Sequence, residues 1–195
     1  PDMDAAQSVI AFFGGIASTR FIHRVAGFIF AGLVVVHVTR AVVGALRKSR
    51  LPIMVPTVQD FYDALDTLKH FIWGTPRPKV GTFDFAQKFE SWGLFLGGTL
   101  MSVTGVILVF PELFTQILPG IVVAAVRTMH GLEATFAVLV VAIWHSYAVI
   151  LRPEIFPLDT SIFTGEVSVE RLEEEHALEY ERLFPDEARR EAEAE

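Results

Sequence analysis

Four of the chain's six histidines, His23, His37, His130 and His145, fall inside long apolar stretches. An ionisable side chain is costly in hydrocarbon, so one placed there marks a functional position. Their spacing narrows the chemistry. His23 and His37 are 14 residues apart, and His130 and His145 are 15 apart. At ~100° per helical residue, these separations turn the second side chain by about −40° and about +60° from the first, so each pair projects broadly from one side of its helix. At ~1.5 Å per residue the members of a pair lie on the order of 21 Å apart along the axis, one near each membrane surface. The two histidine-bearing segments run in the same direction, because one further apolar segment separates them. His23 therefore meets the level of His130, and His37 that of His145. Two bis-histidine sites follow, one per leaflet.

Haem b suits such sites, since iron porphyrin takes an axial imidazole on each face and needs two helices held apart by the macrocycle. Zinc asks for about four ligands at one level, and each level here supplies a pair. The chain has no cysteine, which excludes thiolate sites, iron–sulfur clusters and disulfides. Small residues in the second apolar segment (Gly93, Gly97, Gly98, Gly105) and beside the histidines (Gly27, Gly32, Gly131, Ala134) let a flat ring approach the backbone, or serve ordinary helix packing. Arg20 and Arg24 at one end, and Arg40 at the other, are placed to pair with haem propionates. Arg47 reads as an interfacial anchor. The competing use of the histidines is interhelical hydrogen bonding or a proton path without a cofactor, and their mirrored placement favours haem. His70 and His176 lie outside the apolar stretches and read as surface residues.

The elements that must position these residues are membrane spans. The chain has 195 residues, 52% of them apolar, and a mean hydropathy of +0.45, which together indicate a membrane protein. Three stretches reach the roughly 20 apolar residues that a ~30 Å hydrocarbon layer requires: about 21–46, 89–110 and 121–151. Arg47, Lys48, Ser49, Arg50 and Pro52 close the first, Pro111 the second, and Arg152 with Pro153 the third. Val9 to Phe13 is too short to span and reads as a loop or a shallow interfacial piece. Between the first two spans, Val58 to Trp73 carries Phe61, Leu65, Leu68 and Ile72 at helical spacing, as an interfacial helix does.

The loop of 47–88 is rich in Lys and Arg while the 111–120 link has none, which puts 47–88 on the cytoplasmic side and 1–20 on the other. The net charge of −7 comes mostly from the region after Glu166, within a cytoplasmic tail of 152–195. Helical patterning from Val169 to Phe184 then gives way to a Glu/Ala end, and the tail reads as a partner contact or a solubilising segment. The first residue is Pro1 and no leader precedes the first span, so the natural N-terminus is expected to lie upstream. The expected fold is an all-α membrane protein, a haem-binding transmembrane bundle of three visible spans (21–151) with a fourth ahead of them.

Several segments resemble the cytochrome b family that includes gamma subunits of formate dehydrogenases and b-type subunits of hydrogenases. They are Arg20-Phe-Ile-His-Arg-Val-Ala-Gly27 with His37 beyond, Phe83-Asp-Phe-Ala-Gln-Lys-Phe-Glu-Ser-Trp92 followed by Thr104-Gly105, and His130-Gly-Leu-Glu-Ala134 with Trp144-His145. Phe163-Thr-Gly165 and Glu173-Glu-Glu-His176 resemble a tail found in one branch. The separations of 14 and 15 are also similar to those in the cytochrome b of quinol-oxidising complexes. Family members usually have four spans, and the helix expected ahead of residue 1 can itself carry a haem ligand. Asp84 stands where the family often has Asn near the quinone.

The resemblance implies an electron-transfer subunit of an inner-membrane respiratory complex rather than a complete enzyme. A non-cytoplasmic iron–sulfur or multihaem cytochrome c subunit would exchange electrons with the outer haem. Quinone would react near the inner one, among Asp84, Gln87, Lys88, His145 and Tyr147, where polar groups close an apolar pocket. Membrane lipid is the other partner, and no nucleic acid is expected. Two other classes compete. A metal or proton transporter predicts carboxylates beside the histidines, where Glu133 lies inside a span and Glu90 at an end. A non-redox membrane anchor predicts a colourless protein.

Overall fold

The computed structural model describes residues 2–47 and 54–186. Among these the chain is all helical, in the order α1 (Asp2–Phe12), α2 (Ile16–Leu46), α3 (Val58–Trp73), α4 (Phe85–Val109), α5 (Pro111–Phe114), α6 (Gly120–Leu139), α7 (Ser161–Thr164), α8 (Val169–Glu175) and α9 (Ala177–Leu183). Beyond Leu139, α6 continues in π-helical geometry through Val140–His145 and Tyr147–Leu151.

Three helices, Ile16–Leu46, Phe85–Val109 and Gly120–Leu151, are 31, 25 and 32 residues long and apolar enough to cross a membrane. At ~1.5 Å per residue even the shortest covers ~37 Å, enough for a ~30 Å hydrocarbon layer. No proline interrupts them, while Pro111, Pro119 and Pro153 stand at their borders. Hydroxyls inside them turn back on their own helix. Thr39 donates to Val35 O at 2.7 Å, Thr99 to Phe95 O at 2.7 Å and Ser102 to Gly98 O at 2.8 Å. Each such bond satisfies a polar group without water, as an apolar solvent requires.

The first span starts at Ile16, ahead of the expected Phe21, because Ala17 to Arg20 continue the helix. Val9 to Phe12 are the end of a regular helix, α1, rather than a loop. Gly14 and Gly15, with φ of 84° and 91°, turn the chain from α1 into α2, a conformation that costs glycine little. Of the residues expected to stop the first span, Lys48, Ser49, Arg50 and Pro52 lie outside the described residues.

By its internal packing the chain divides into two compact units, Pro1–Val43 with Leu94–Leu139, and Gly44–Gly93 with Val140–Glu195. In the first, α4 supplies the buried residues Gly98, Thr104 and Ile107, and α6 supplies Val126. Gly98 lets α2 come close, since a Cβ there would meet Phe30 Cζ at 3.2 Å.

In the second unit, α3 begins with a capping box. The Asp60 carboxylate accepts from Thr57 N at 2.6 Å, and the Thr57 hydroxyl accepts from Asp60 N at 3.4 Å, the reciprocal arrangement that satisfies two helix-end donors. The expected interfacial helix has these bounds, Val58–Trp73. Lys88 ties the start of α4 to α3 through Asp60 at 2.6 Å, and Trp92 Nε1 donates to Met54 O at 2.8 Å. Burial opposes ionisation of Asp60, but the bonds from Lys88 and Thr57 outweigh it and hold the carboxyl below its usual range.

The acidic tail does not run on as one helix. It breaks at His176, whose Nδ1 lies 2.8 Å from Gly81 O. The tail docks on the 79–82 segment through Leu178 N to Val80 O at 3.1 Å, Thr82 to Glu179 at 2.9 Å and Lys79 to Glu181 at 2.6 Å. Its hub is Glu175, only 8% exposed, held by Arg152 Nη2 at 2.8 Å and Arg171 Nε at 3.2 Å. Arg171 also grips Asp159 with both terminal nitrogens, at 3.1 and 2.8 Å, a bidentate pairing that combines charge with directed hydrogen bonds.

Removing the shared cation has a predictable cost. Arg171→Ala removes the cation from Asp159 and leaves Glu175 with Arg152 alone, and should loosen α8 and α9 by ~1–3 kcal/mol, read as faster amide hydrogen exchange there. Arg171 also holds Asp159 well below the usual carboxylate range. That part of the stability is complete above about pH 4, the unfolded carboxylate value, and drains away as acid approaches the lowered folded value. Asp159→Asn should flatten this acid limb. In the first unit, Gly98→Leu must push α2 from α4, and thermal unfolding in detergent should show a loss of roughly 1–3 kcal/mol.

Candidate functional site

The first unit brings His23 of α2 and His130 of α6 together. Their ring centroids are 6.2 Å apart, and the ring planes stand at 89°. An imidazole nitrogen lies ~2 Å from a bound first-row metal and ~1 Å from its own ring centre, so two imidazoles on opposite sides of one metal have centroids ~6 Å apart. The observed separation meets that value. It also falls within the roughly 4.5–7 Å over which ordinary edge-to-face ring pairs are found. Two imidazoles brought together from two helices are a donor set that would suit a haem iron. Among the described residues no three His, Asp or Glu side chains gather as they would around a bare metal ion.

α4 packs against His130 without contributing a histidine. Thr104, 3% exposed, lies with its Oγ1 2.8 Å from His130 Nδ1. The next residue is Gly105, where a Cβ would already touch His130 Cε1 at 3.4 Å, so the imidazole rests on nearly bare backbone. Two helical turns towards the N-terminus, a Cβ on Gly97 would lie 2.5 Å from Glu133 Oε1. Gly97 thereby makes room for the carboxylate that falls inside a span. Gly93 and Gly131 have open space where a Cβ would be.

The arginines expected to meet propionates lie on α2, Arg20 and Arg24 flanking His23, and Arg40 beyond His37. Arg24 lines an open groove with Leu108, Val109, Phe110, Pro111, Glu112 and Leu113. Arg20, Arg24 and Arg40 are all exposed, which leaves their guanidinium groups accessible to an anionic group.

His37 also lies in the first unit, its ring 5.8 Å from that of Phe95. His145 lies in the second, where its Nδ1 is 2.5 Å from Glu90 Oε1. That is the outer-carboxylate arrangement which, at metal sites, orients a histidine and raises its basicity. His145 also falls in the π-helical stretch. There the backbone bonds run from i to i+5 and each residue turns the chain by ~82° rather than ~100°, so the rotation expected for a 15-residue α-helical separation does not apply. π-Helical turns are uncommon and often accompany functional positions.

The residues expected near quinone have local partners in the second unit. Asp84 and Gln87 form a reciprocal cap at the start of α4, with Gln87 N donating to Asp84 Oδ1 at 2.7 Å and Asp84 N to Gln87 Oε1 at 3.0 Å. Lys88 is engaged by Asp60, and Tyr147 is exposed on the π-helical segment. The two histidines read as surface residues are both engaged: His70 Nδ1 contacts Thr75 O, and His176 Nδ1 contacts Gly81 O.

Two contacts escaped the sequence. Thr104 was visible only as half of a Thr-Gly pair, and Glu90 only as a charge near a span end. No family model matches the chain, and neither does any curated protein or solved structure.

Proposed function

We propose that this chain is a di-haem b-type cytochrome subunit that carries electrons across a membrane, between a redox partner subunit and the quinone pool. The observation that carries the reading is the His23 and His130 pair, two imidazoles brought together from separate helices long and apolar enough to cross a membrane, with centroids 6.2 Å apart, a separation compatible with one shared iron. Haem bound there supplies one-electron chemistry at a potential set by its ligands and surroundings. The chain's own residues do the rest. His23 and His130 would hold the iron, Arg20 and Arg24 would offer cations to the propionates, and the apolar faces of α2, α4 and α6 would keep water away. The second haem of this reading, on His37 and His145 with Arg40 as its propionate partner, rests on the sequence pattern and the family resemblance alone.

In this reading Glu90 tunes His145, and Asp84, Gln87, Lys88 and Tyr147 lie in the region where quinone exchanges electrons and protons. The partner is an iron–sulfur or multihaem cytochrome c subunit on the non-cytoplasmic side, and the location is the inner membrane. These points rest on the family resemblance and the positive-inside pattern.

The test is a dithionite-reduced minus oxidised absorbance spectrum of the purified protein, with haem quantified per chain. A b-type spectrum with two haems per chain is expected, and His23→Ala and His130→Ala should each lose the same single haem. A colourless protein, or variants that keep their full complement, would sink the proposal.

A further inference from the structure

We propose that Thr104 is a positioning residue for haem ligation: it locks His130 in the tautomer that presents Nε2 to iron and strengthens that nitrogen as a donor. This role rests on the haem reading and deepens it.

A single proton decides the arrangement. The Thr104 hydroxyl has one hydrogen to donate. Its Oγ1 lies 2.7 Å from Leu100 O and 3.2 Å from Met101 O, two carbonyls that can only accept. We assign the hydrogen to Leu100 O, the shortest of its contacts, and in that arrangement the oxygen meets His130 Nδ1 at 2.8 Å as an acceptor. Nδ1 therefore carries the ring hydrogen and donates it, and Nε2 keeps its lone pair. A neutral imidazole in this tautomer is a metal ligand through Nε2.

Burial makes the arrangement firm. Thr104 is 3% exposed, so no water competes for its oxygen, and an unmet Nδ1–H at this place would be costly. Gly105 completes the seat by leaving the ring against bare backbone. The polar contact from α4 is thus aimed at the ring edge that a metal does not use. The hydrogen bond also shifts electron density towards the ring, which makes Nε2 more basic and favours the oxidised metal. α4, the span without a histidine, would in this way set both the orientation and the electronic character of a ligand on α6.

The experiment is a redox titration of the purified full chain, followed by optical spectra with haem content, for wild type, Thr104→Val, Thr104→Ser and Thr104→Ala. Valine keeps the shape and removes the acceptor, whereas serine keeps the hydroxyl. Thr104→Val should raise the midpoint potential of one haem, leave the other in place, and weaken retention of the affected haem by roughly 10–100-fold. Thr104→Ser should restore wild-type behaviour. If valine disturbs the bundle and strips both haems, serine and alanine decide, since they differ by the hydroxyl alone: a potential shift in alanine and not in serine supports the proposal. Unchanged potential and haem content in both valine and alanine overturns it while leaving haem ligation intact. A wild-type protein without haem removes the proposal together with the reading on which it rests.

Discussion

A polar group inside hydrocarbon must find its partner within the chain, and this one constraint organises the molecule. The backbone meets it by remaining helical for 31, 25 and 32 residues without a proline. Threonine and serine meet it by donating to the carbonyl one turn back. Histidine cannot do the same, because the neutral ring has a donor on one edge and an acceptor on the other, and both need answering. The ring of His130 is answered on one edge by Thr104, and in the haem reading its other edge is for iron.

Small residues convert that constraint into geometry. Gly98 admits Phe30 of α2, Gly97 admits Glu133 of α6, and Gly105 admits the His130 ring. All three lie on α4, so the helix without a histidine is the one that sets how closely the other two approach it. Without a hydrophobic force between helices in lipid, such close approach and a few well-made polar contacts hold a bundle together. Outside the spans the forces are ordinary ones. Arg171, Asp159, Glu175 and Arg152 form a network whose buried carboxylate has two cationic partners, and the tail closes on the segment that leads into α4.

Much of this was legible in the sequence, for reasons that differ by element. The long helices announce themselves because a run of some 20 apolar residues has few other uses. α3 was legible because its apolar residues recur at helical spacing, and in the structure Thr57 and Gly74 cap it where that pattern stops. α1 was not, because a short run of Ala, Ser and Val says little about the helix around it. The π-helical stretch left no trace in composition, since it changes the hydrogen-bond register and not the residues. The break at His176 depends on a carbonyl 95 positions away. At the site, the spacing of the histidines proposed their pairing, but Thr104 and Glu90 depend on how neighbouring helices are rotated, and periodicity does not carry that.

If His23 and His130 face one iron, the perpendicular setting of their rings, at 89°, is open to a direct spectroscopic test. Low-temperature electron paramagnetic resonance of the oxidised protein reads the axial ligands and their relative orientation at once. Two imidazoles with crossed planes predict a low-spin ferric signal of high anisotropy, which vanishes in His23→Ala and in His130→Ala. A high-spin ferric signal, or a low-spin signal that either variant leaves unchanged, contradicts shared ligation of one iron by this pair.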